Sequence, residues 1–207
     1  MKIVVSSTNL DKIREIKALF HQYQIYSLTE LTDSFEIEEV GKSFKENALI
    51  KSTALYERLS DKQKDEFIVL SDDSGISVEA LDFKPGIYSA RYSKHGDDKA
   101  NRAKLMAELE KKGVTTSRAF YSAAIALSSK FGNYCVHGFM YGSVIDEERG
   151  TNGFGYDSLF IPNGYDKTLG ELDDKTKLQI SHRTKALKLA EILLRLFDKK
   201  VSQSRLF

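Results

Sequence analysis

The stretch Phe67-Ile68-Val69-Leu70-Ser71-Asp72-Asp73-Ser74-Gly75 joins an apolar run to two adjacent carboxylates. The β-branched and aromatic residues of the run predict a buried strand, and an extended pattern resumes at Ile76. We expect the strand to end at Ser71, with both acids at its end and a tight turn at Ser74-Gly75. This stretch therefore predicts a sheet in which a strand end carries acidic side chains.

Strand and helix patterns surround this stretch. A short apolar run, Ile3-Val4-Val5, predicts a strand, and apolar residues at helical spacing follow the polar turn Ser7-Thr8-Asn9. Three further helices are predicted to begin near Ser43, at Asp97 or Asp98, and at Ser181. Two long runs, 120–127 and 134–141, predict a hairpin joined near Gly132-Asn133. The chain is therefore predicted to have an α/β fold with a mixed sheet.

The composition is that of one globular domain. The chain has 207 residues, of which 41% are hydrophobic and 29% charged, and we expect one domain over residues 1–207 with a frayed tail from about 199 to 207. The formal net charge of +1 argues against nucleic acid as a partner. Cys135 is the single cysteine, which excludes an intrachain disulfide. Without a long apolar segment we expect no membrane span and a cytoplasmic location.

A phosphate-binding turn is one interpretation of Ser7-Thr8-Asn9 followed by Lys12. Hydroxyls, an amide and a lysine meet the unpaired backbone N–H groups of a helix start, where an anion is favoured. The alternative is that these polar residues only cap the helix. Lys51 offers a further positive charge, although a solvated surface lysine fits the same pattern.

Carboxylates occur in two clusters that could bind a hard cation. One contains Glu36, Glu38 and Glu39, and the other contains Asp72 and Asp73. Mg²⁺ on a triphosphate binds through one or two carboxylates together with phosphate oxygens and water, so one acid from each cluster would suffice. Glu36 and Glu38 are better explained as a solvated acidic edge.

Two later segments suit a nucleotide base. Gly153-Phe154-Gly155-Tyr156-Asp157 places two aromatics and an acid in a flexible frame, which could stack on a base and accept from its N–H edge. The alternative is a strand entry with core aromatics. Ser181-His182-Arg183 places two cationic donors in the first turn of a helix, where cations are disfavoured. A ligand would explain them, as would a carboxylate paired with a surface arginine.

Together these segments resemble the inosine triphosphate pyrophosphatase family, which removes deaminated purine nucleotides, from Lys2 to about Leu194. The resemblance implies an elongated mixed β-sheet flanked by helices, two lobes around a central active-site cleft, and a homodimer. It implies hydrolysis of ITP, dITP and XTP to the nucleoside monophosphate and pyrophosphate, with Mg²⁺ as cofactor.

The resemblance also implies roles for individual residues. Glu39 and Asp73 would bind Mg²⁺, and Asp73 would be the catalytic base that accepts a proton from the attacking water. The residues implied to hold the triphosphate are Ser7, Thr8, Asn9, Lys12, Lys51 and Ser74. Those implied to line the base pocket are Phe154, Gly155, Tyr156, Asp157, Lys177, His182 and Arg183. Two residues depart from the family pattern: Asp11 stands where glycine is frequent, and Ser158 where proline is usual.

Two other functions remain open. A pyrimidine-directed pyrophosphatase would share the fold but would not be expected to carry Ser181-His182-Arg183. A non-catalytic nucleotide-binding regulator would keep the pocket without turnover, and the intact Lys12, Glu39 and Asp73 argue against it.

Overall fold

The computed structural model describes residues 2–32, 35, 37–94 and 96–204, the last four by their backbone alone. Within these ranges, strands and α-helices alternate along much of the chain. The strands are β1 (Lys2–Val5), β2 (Gln24–Ser27), β3 (Phe67–Val78), β4 (Thr116–Ser129), β5 (Gly132–Ile145) and β6 (Phe160–Pro162). The helices are α1 (Leu10–Leu19), α2 (Phe44–Arg58), α3 (Asp61–Glu66), α4 (Asp98–Lys111), α5 (Asp174–Ile180) and α6 (His182–Ser204).

The described strands form a six-stranded sheet in the order β2-β1-β3-β4-β5-β6. Strand β1 runs parallel to both β2 and β3, whereas β5 and β6 are antiparallel. The sheet is therefore mixed, and the predicted fold class is confirmed.

Strand β3 is longer than the sequence pattern predicts. It continues from Phe67 through Val78 without a turn, so the predicted strand end at Ser71 is wrong. The polar residues of this stretch find distant partners: the Ser71 hydroxyl donates to the carbonyl of Ala48 at 2.6 Å. Gly75 is required by a close approach, since a Cβ there would lie 2.3 Å from Ser89 Oγ and 2.6 Å from the oxygen of Gly86. Asp72 and Asp73 consequently lie within the strand.

Several helices begin where their capping residues predict. Asn9 caps α1, Ser43 caps α2, and Asp97, one of the two predicted caps, caps α4, each side chain accepting from a first-turn backbone N–H. The hairpin of β4 and β5 differs from its prediction, because its turn is at 130–131 and Gly132 already belongs to β5. Strand pairing thus continues past the residues whose composition suggested the turn.

The chain divides into two compact units, each with its own apolar core. The first comprises Met1–Asp73, Ala124–Gly138 and Arg183–Phe207, and the second comprises Ser74–Ala123 and Phe139–His182. Buried side chains in the first include Val4, Leu55, Phe67 and Val69. Those in the second include Ile76, Leu105, Tyr121, Leu159 and Phe160.

The carboxyl-terminal segment continues α6 rather than forming a separate element. Residues 199–204 are helical, and residues 205–207 of the predicted frayed tail lie outside the described residues. Among the described helices, none combines the length and the apolar composition that crossing a membrane requires.

Candidate functional site

The loop after β1 is held against β3 and α2. The Ser6 backbone N–H donates to the carbonyl of Leu70 at 2.7 Å, and its hydroxyl donates to the carbonyl of Lys51 at 3.0 Å. Asn9 Oδ1 accepts from the N–H of Lys12 at 3.0 Å, so Asn9 makes the helix cap that the capping interpretation predicts. Thr8 and Asn9 are exposed, and Ser7 is half-buried. The start of α1 is therefore fixed while its polar side chains remain accessible.

Asp72 is the centre of a buried ion-pair network in the first unit. Its two carboxylate oxygens accept from Lys12 Nζ at 2.5 Å and from Arg183 Nε at 2.9 Å. Arg183 also pairs with Glu15. Burial by itself would raise the pKa of Asp72, but the neighbouring Arg183 and Lys12 hold that pKa well below its usual range. Asp72 is thus a fixed negative charge that orients two cations.

Asp73 belongs to a second network in the same unit. Lys51 Nζ donates to Asp73 Oδ1 and Glu39 Oε1, both at 2.9 Å, and to the backbone oxygen of Asp72 at 2.8 Å. Successive side chains of a strand point to opposite faces, which explains why adjacent acids serve different networks. The contacts therefore separate the roles of Asp72 and Asp73.

The electrostatics of Asp73 differ from those of Asp72. Burial raises the pKa of Asp73, and Lys51 opposes this effect only in part. Burial also acts to lower the pKa of Lys51, but the carboxylates of Asp73 and Glu39 outweigh it, and the pKa is raised. Asp73 Oδ2 is buried and has no hydrogen-bond partner among the described residues. An acceptor in this state is suited to a cation or to the proton of a bound water.

The second unit holds a cluster around Asp157. Asp157 Oδ2 accepts from Lys177 Nζ at 2.5 Å and from the N–H of Phe154 at 3.0 Å. Lys177 Nζ also lies 5.0 Å from the centroid of the Phe154 ring. Gly153 permits this arrangement: its φ is +81°, and a Cβ there would fall 2.2 Å from Asp157 Oδ2 and 2.5 Å from Lys177 Nζ. The glycine is therefore required both by its backbone conformation and by the ion pair.

Tyr121 completes this cluster. Its ring stacks on His182 with centroids 4.7 Å apart and an interplanar angle of 13°, and its hydroxyl donates to Asp157 Oδ1 at 3.4 Å. Burial, followed by the charge of Asp157, raises the pKa of Tyr121 well above its usual value. The hydroxyl consequently stays protonated and acts as a donor toward Asp157.

The structure distributes the predicted site residues between two groups. Lys12, Lys51, Glu39, Asp73 and Arg183 share the networks of the first unit. Phe154, Asp157, Lys177 and His182 lie in the cluster of the second unit, where the buried Tyr156 donates its hydroxyl to Ser89. Arg183 had been grouped with the base-pocket residues, but its described carboxylate partners are Asp72 and Glu15.

Sequence reasoning missed two participants, Glu15 and Tyr121, and it considered Asp72 only as a possible cation ligand. Asp72 had a usable signal, because two adjacent acids in one strand must point to opposite faces. Glu15 is one of many charged residues on α1, and Tyr121 lies inside an apolar strand pattern. Neither residue has a local feature that distinguishes it.

Comparisons with known proteins extend over nearly the whole chain. A model described as the Ham1 family matches residues 3–191. The dITP/XTP pyrophosphatase of Campylobacter fetus subsp. fetus is 61% identical over 201 residues, covering 96% of this chain and 98% of that protein.

Solved structures give the same result. The Ham1 protein of Staphylococcus aureus has a TM-score of 0.82 and 37% identity, covering 94% of this chain and 98% of that one. The nucleoside-triphosphatase / dITP/XTP pyrophosphatase from Mycobacterium abscessus has a TM-score of 0.72 and 37% identity, covering 93% of this chain and 99% of that one. Fold, sequence and length agree across these comparisons, and the chain belongs to the Ham1 family.

Proposed function

We propose that this chain hydrolyses dITP, XTP and ITP to the nucleoside monophosphate and pyrophosphate. The observation that carries the proposal is the arrangement of Lys51 between Glu39 and Asp73, with one buried carboxylate oxygen of Asp73 that no described residue hydrogen-bonds. The names of relatives such as the dITP/XTP pyrophosphatase of Campylobacter fetus support the substrate class.

Magnesium is the cofactor we assign to Glu39 and Asp73. Both carboxylates already accept from the Lys51 ammonium, so their oxygens converge on one positive charge. Mg²⁺ prefers oxygen ligands and uses one or two carboxylates with phosphate oxygens and water, which fits this donor set. When bound, the ion would neutralise charge that develops on the phosphate oxygens.

Asp73 is the general base of the proposed reaction. A carboxylate whose pKa is raised by burial is a better proton acceptor at neutral pH than an exposed one. Asp73 Oδ2 takes a proton from a water that attacks the α-phosphorus, while Lys51 holds Oδ1 and fixes the orientation of the carboxylate. The bond between the α-phosphorus and the bridging oxygen breaks, and pyrophosphate leaves.

The phosphates are assigned to residues of the loop after β1, of α1, of α2 and of β3. Lys12 and Lys51 supply positive charge, and Asp72 fixes the position of the Lys12 ammonium. The further residues proposed to hold phosphate oxygens are Ser7, Thr8, Asn9 and Ser74. The start of α1 favours an anion because the first-turn N–H groups of a helix carry partial positive charge.

The base is assigned to the residues that the family resemblance implies for it, several of which belong to the Asp157 cluster. The residues proposed to contact it are Phe154, Gly155, Tyr156, Asp157, Lys177, His182 and Arg183. A 6-oxo purine presents an acceptor at O6, which the cationic side chains can satisfy, whereas adenine presents a donor there. An unpaired donor in a buried pocket is costly, and we therefore expect ATP to be rejected.

A homodimer and a cytoplasmic location complete the proposal. The resemblance to the pyrophosphatase family supports the dimer, and sedimentation of the full chain checks it. Nucleoside triphosphates are used in the cytoplasm, which supports that location.

A nucleotide panel tests the function. ITP, dITP, XTP, ATP, GTP, CTP and dUTP are incubated with the protein and Mg²⁺, and the products are separated by chromatography. We expect equal amounts of monophosphate and pyrophosphate from the first three. A preference for pyrimidine nucleotides would favour the pyrimidine-directed alternative, and nucleotide binding without turnover would favour a regulator.

A further inference from the structure

The first turns of α4 hold the peptide groups of Gly155 by two side chains. The Gly155 N–H donates to Asp98 Oδ2 at 2.7 Å, and its carbonyl accepts from Arg102 Nη1 at 2.9 Å. Asp98 and Arg102 are four residues apart and therefore share one face of the helix. Gly155 has a φ of +61°, a left-handed conformation that glycine adopts without strain. Both polar backbone groups of this glycine are thus fixed by side chains of opposite charge.

Glu148 connects Arg102 to the far side of the same loop. Its Oε2 accepts from Arg102 Nε at 2.8 Å and from the Ser158 hydroxyl at 3.2 Å. The Ser158 backbone oxygen also accepts from the N–H of Arg149 at 2.8 Å. The segment 155–158 is therefore held at both ends. We name the residues that hold it the loop clamp: Asp98, Arg102, Glu148 and Ser158.

This segment and Phe154, which directly precedes it, carry side chains assigned to the base. Phe154 and Tyr156 flank Gly155, and the N–H of Phe154 donates to Asp157. A surface ion pair alone contributes little. Arg102, however, is four-fifths buried and donates to a backbone carbonyl as well as to Glu148. A charge-assisted bond to the peptide of a glycine restricts the most flexible residue of the loop.

We propose that the loop clamp positions the segment 153–157 for the purine base, and so sets nucleotide affinity rather than the rate of bond cleavage. The expected effect on nucleotide affinity rests on the proposed function, whereas the expected effect on the ordering of the loop does not. Asp98, Arg102, Glu148 and Ser158 are positioning residues in this account, because they act through Gly155 and its neighbours.

Kinetics of Arg102 variants test the proposal. For R102A we expect the KM for ITP to rise about tenfold with kcat changed by less than about twofold, because a lost charged hydrogen bond affects the loop and not the phosphate residues. R102K keeps one donor and should recover part of the affinity. D98A should resemble R102A, whereas D98N keeps an acceptor for the Gly155 N–H and should be milder.

The matched control is R195A. Arg195 is exposed and pairs with Glu191 on α6, so its loss should leave KM unchanged. Inhibition by inorganic pyrophosphate should be equal in the wild type and R102A, because that ligand has no base. An unchanged KM for R102A, or an equal loss of pyrophosphate affinity, would overturn the proposal.

Hydrogen exchange of the full chain separates this inference from the proposed function. In R102A, amides 153–157 should exchange faster than in the wild type, while those of β1 should not change. If the wild type fails to hydrolyse any purine nucleotide but exchange is faster, the function fails and the clamp stands. If the wild type is active and exchange at 153–157 is unaltered, the clamp fails alone.

Discussion

Asn substitutions at Asp72 and Asp73 should have opposite consequences, although the two residues are adjacent. Asp72 has a fully buried side chain between Lys12 and Arg183. In D72N both cations lose their negative partner. Removing one member of a buried ion pair costs about 3–5 kcal/mol. Because Asn retains an acceptor oxygen, we take the lower limit of about 3 kcal/mol in the free energy of unfolding.

The corresponding change in melting temperature follows from the length of the chain. For proteins of this size, 1 kcal/mol shifts the melting temperature by about 2–4 °C, so D72N should melt about 6–12 °C below the wild type. In D73N the cost is smaller, because burial already disfavours the charged form of Asp73 and raises its pKa. Lys51 keeps Glu39 and the backbone oxygen of Asp72 as partners. D73N should therefore melt within a few degrees of the wild type.

Turnover should show the reverse order. D73N loses the proposed general base, and we expect kcat for ITP to fall by a factor of about 10² to 10⁴. Urea denaturation and pyrophosphate release, measured on the same preparations, compare both quantities. D65N is the matched control, because Asp65 is an exposed acid paired with Lys130. Equal destabilisation of D72N and D73N, or near wild-type turnover in D73N, would refute the separation of roles.

Three further substitutions or measurements test other parts of the account. In G153A a methyl group would meet Asp157 Oδ2, in a left-handed backbone conformation, so the KM for ITP should rise; a KM equal to that of the wild type would exclude the Asp157 cluster from binding. R183A should lower kcat/KM for ITP by a factor equivalent to about 1–3 kcal/mol of transition-state stabilisation. It should also reduce the ratio of kcat/KM for ITP to kcat/KM for ATP. The R183A variant should also have a lower melting temperature, because Asp72 loses one of its two cationic partners. If R183A keeps the wild-type preference for ITP over ATP, Arg183 does not select the base. Burial raises the pKa of the Cys135 thiol to about 11 from its ordinary value of 9.0, so the thiolate fraction at pH 8 should be about 100-fold below that of a free thiol. Labelling by a thiol reagent should be slow at pH 8 and accelerate up to about pH 11, and labelling as fast as that of an unfolded control would contradict the burial.

Local sequence signals predicted the parts of the fold that depend on local chemistry. Asn9, Ser43 and Asp97 cap helices because their side chains accept from N–H groups a few residues away. The mixed sheet was predicted from a strand-turn-helix pattern near the start and a hairpin pattern later in the chain. The family prediction is confirmed by the Ham1 match and by relatives above 50% identity.

Errors arose where a polar residue has a distant partner. Ser71 and Gly75 have the composition of a turn, but Ala48, Gly86 and Ser89 accommodate them in a continuous strand. The same limitation hid Tyr121, whose contact with Asp157 spans 36 residues of sequence. Local patterns report the backbone preferences of a few residues, whereas these contacts depend on how remote segments pack.

Site residues were predicted mainly through the family resemblance. Composition and spacing alone left Lys51 indistinguishable from a surface lysine, because its contacts with Glu39 and Asp73 cross 12 and 22 residues. The position of Arg183 in the first turn of a helix allowed a carboxylate partner to be predicted, but no local signal identified that partner as Asp72, 111 residues away.

Hydrolysis of ITP in water enriched in ¹⁸O shows whether water attacks the α-phosphorus. The products are separated and the isotope content of each is read by mass spectrometry. We expect one ¹⁸O atom in IMP and none in the released pyrophosphate, in the presence of Mg²⁺. Label in pyrophosphate, or the appearance of IDP with labelled orthophosphate, would contradict this expectation.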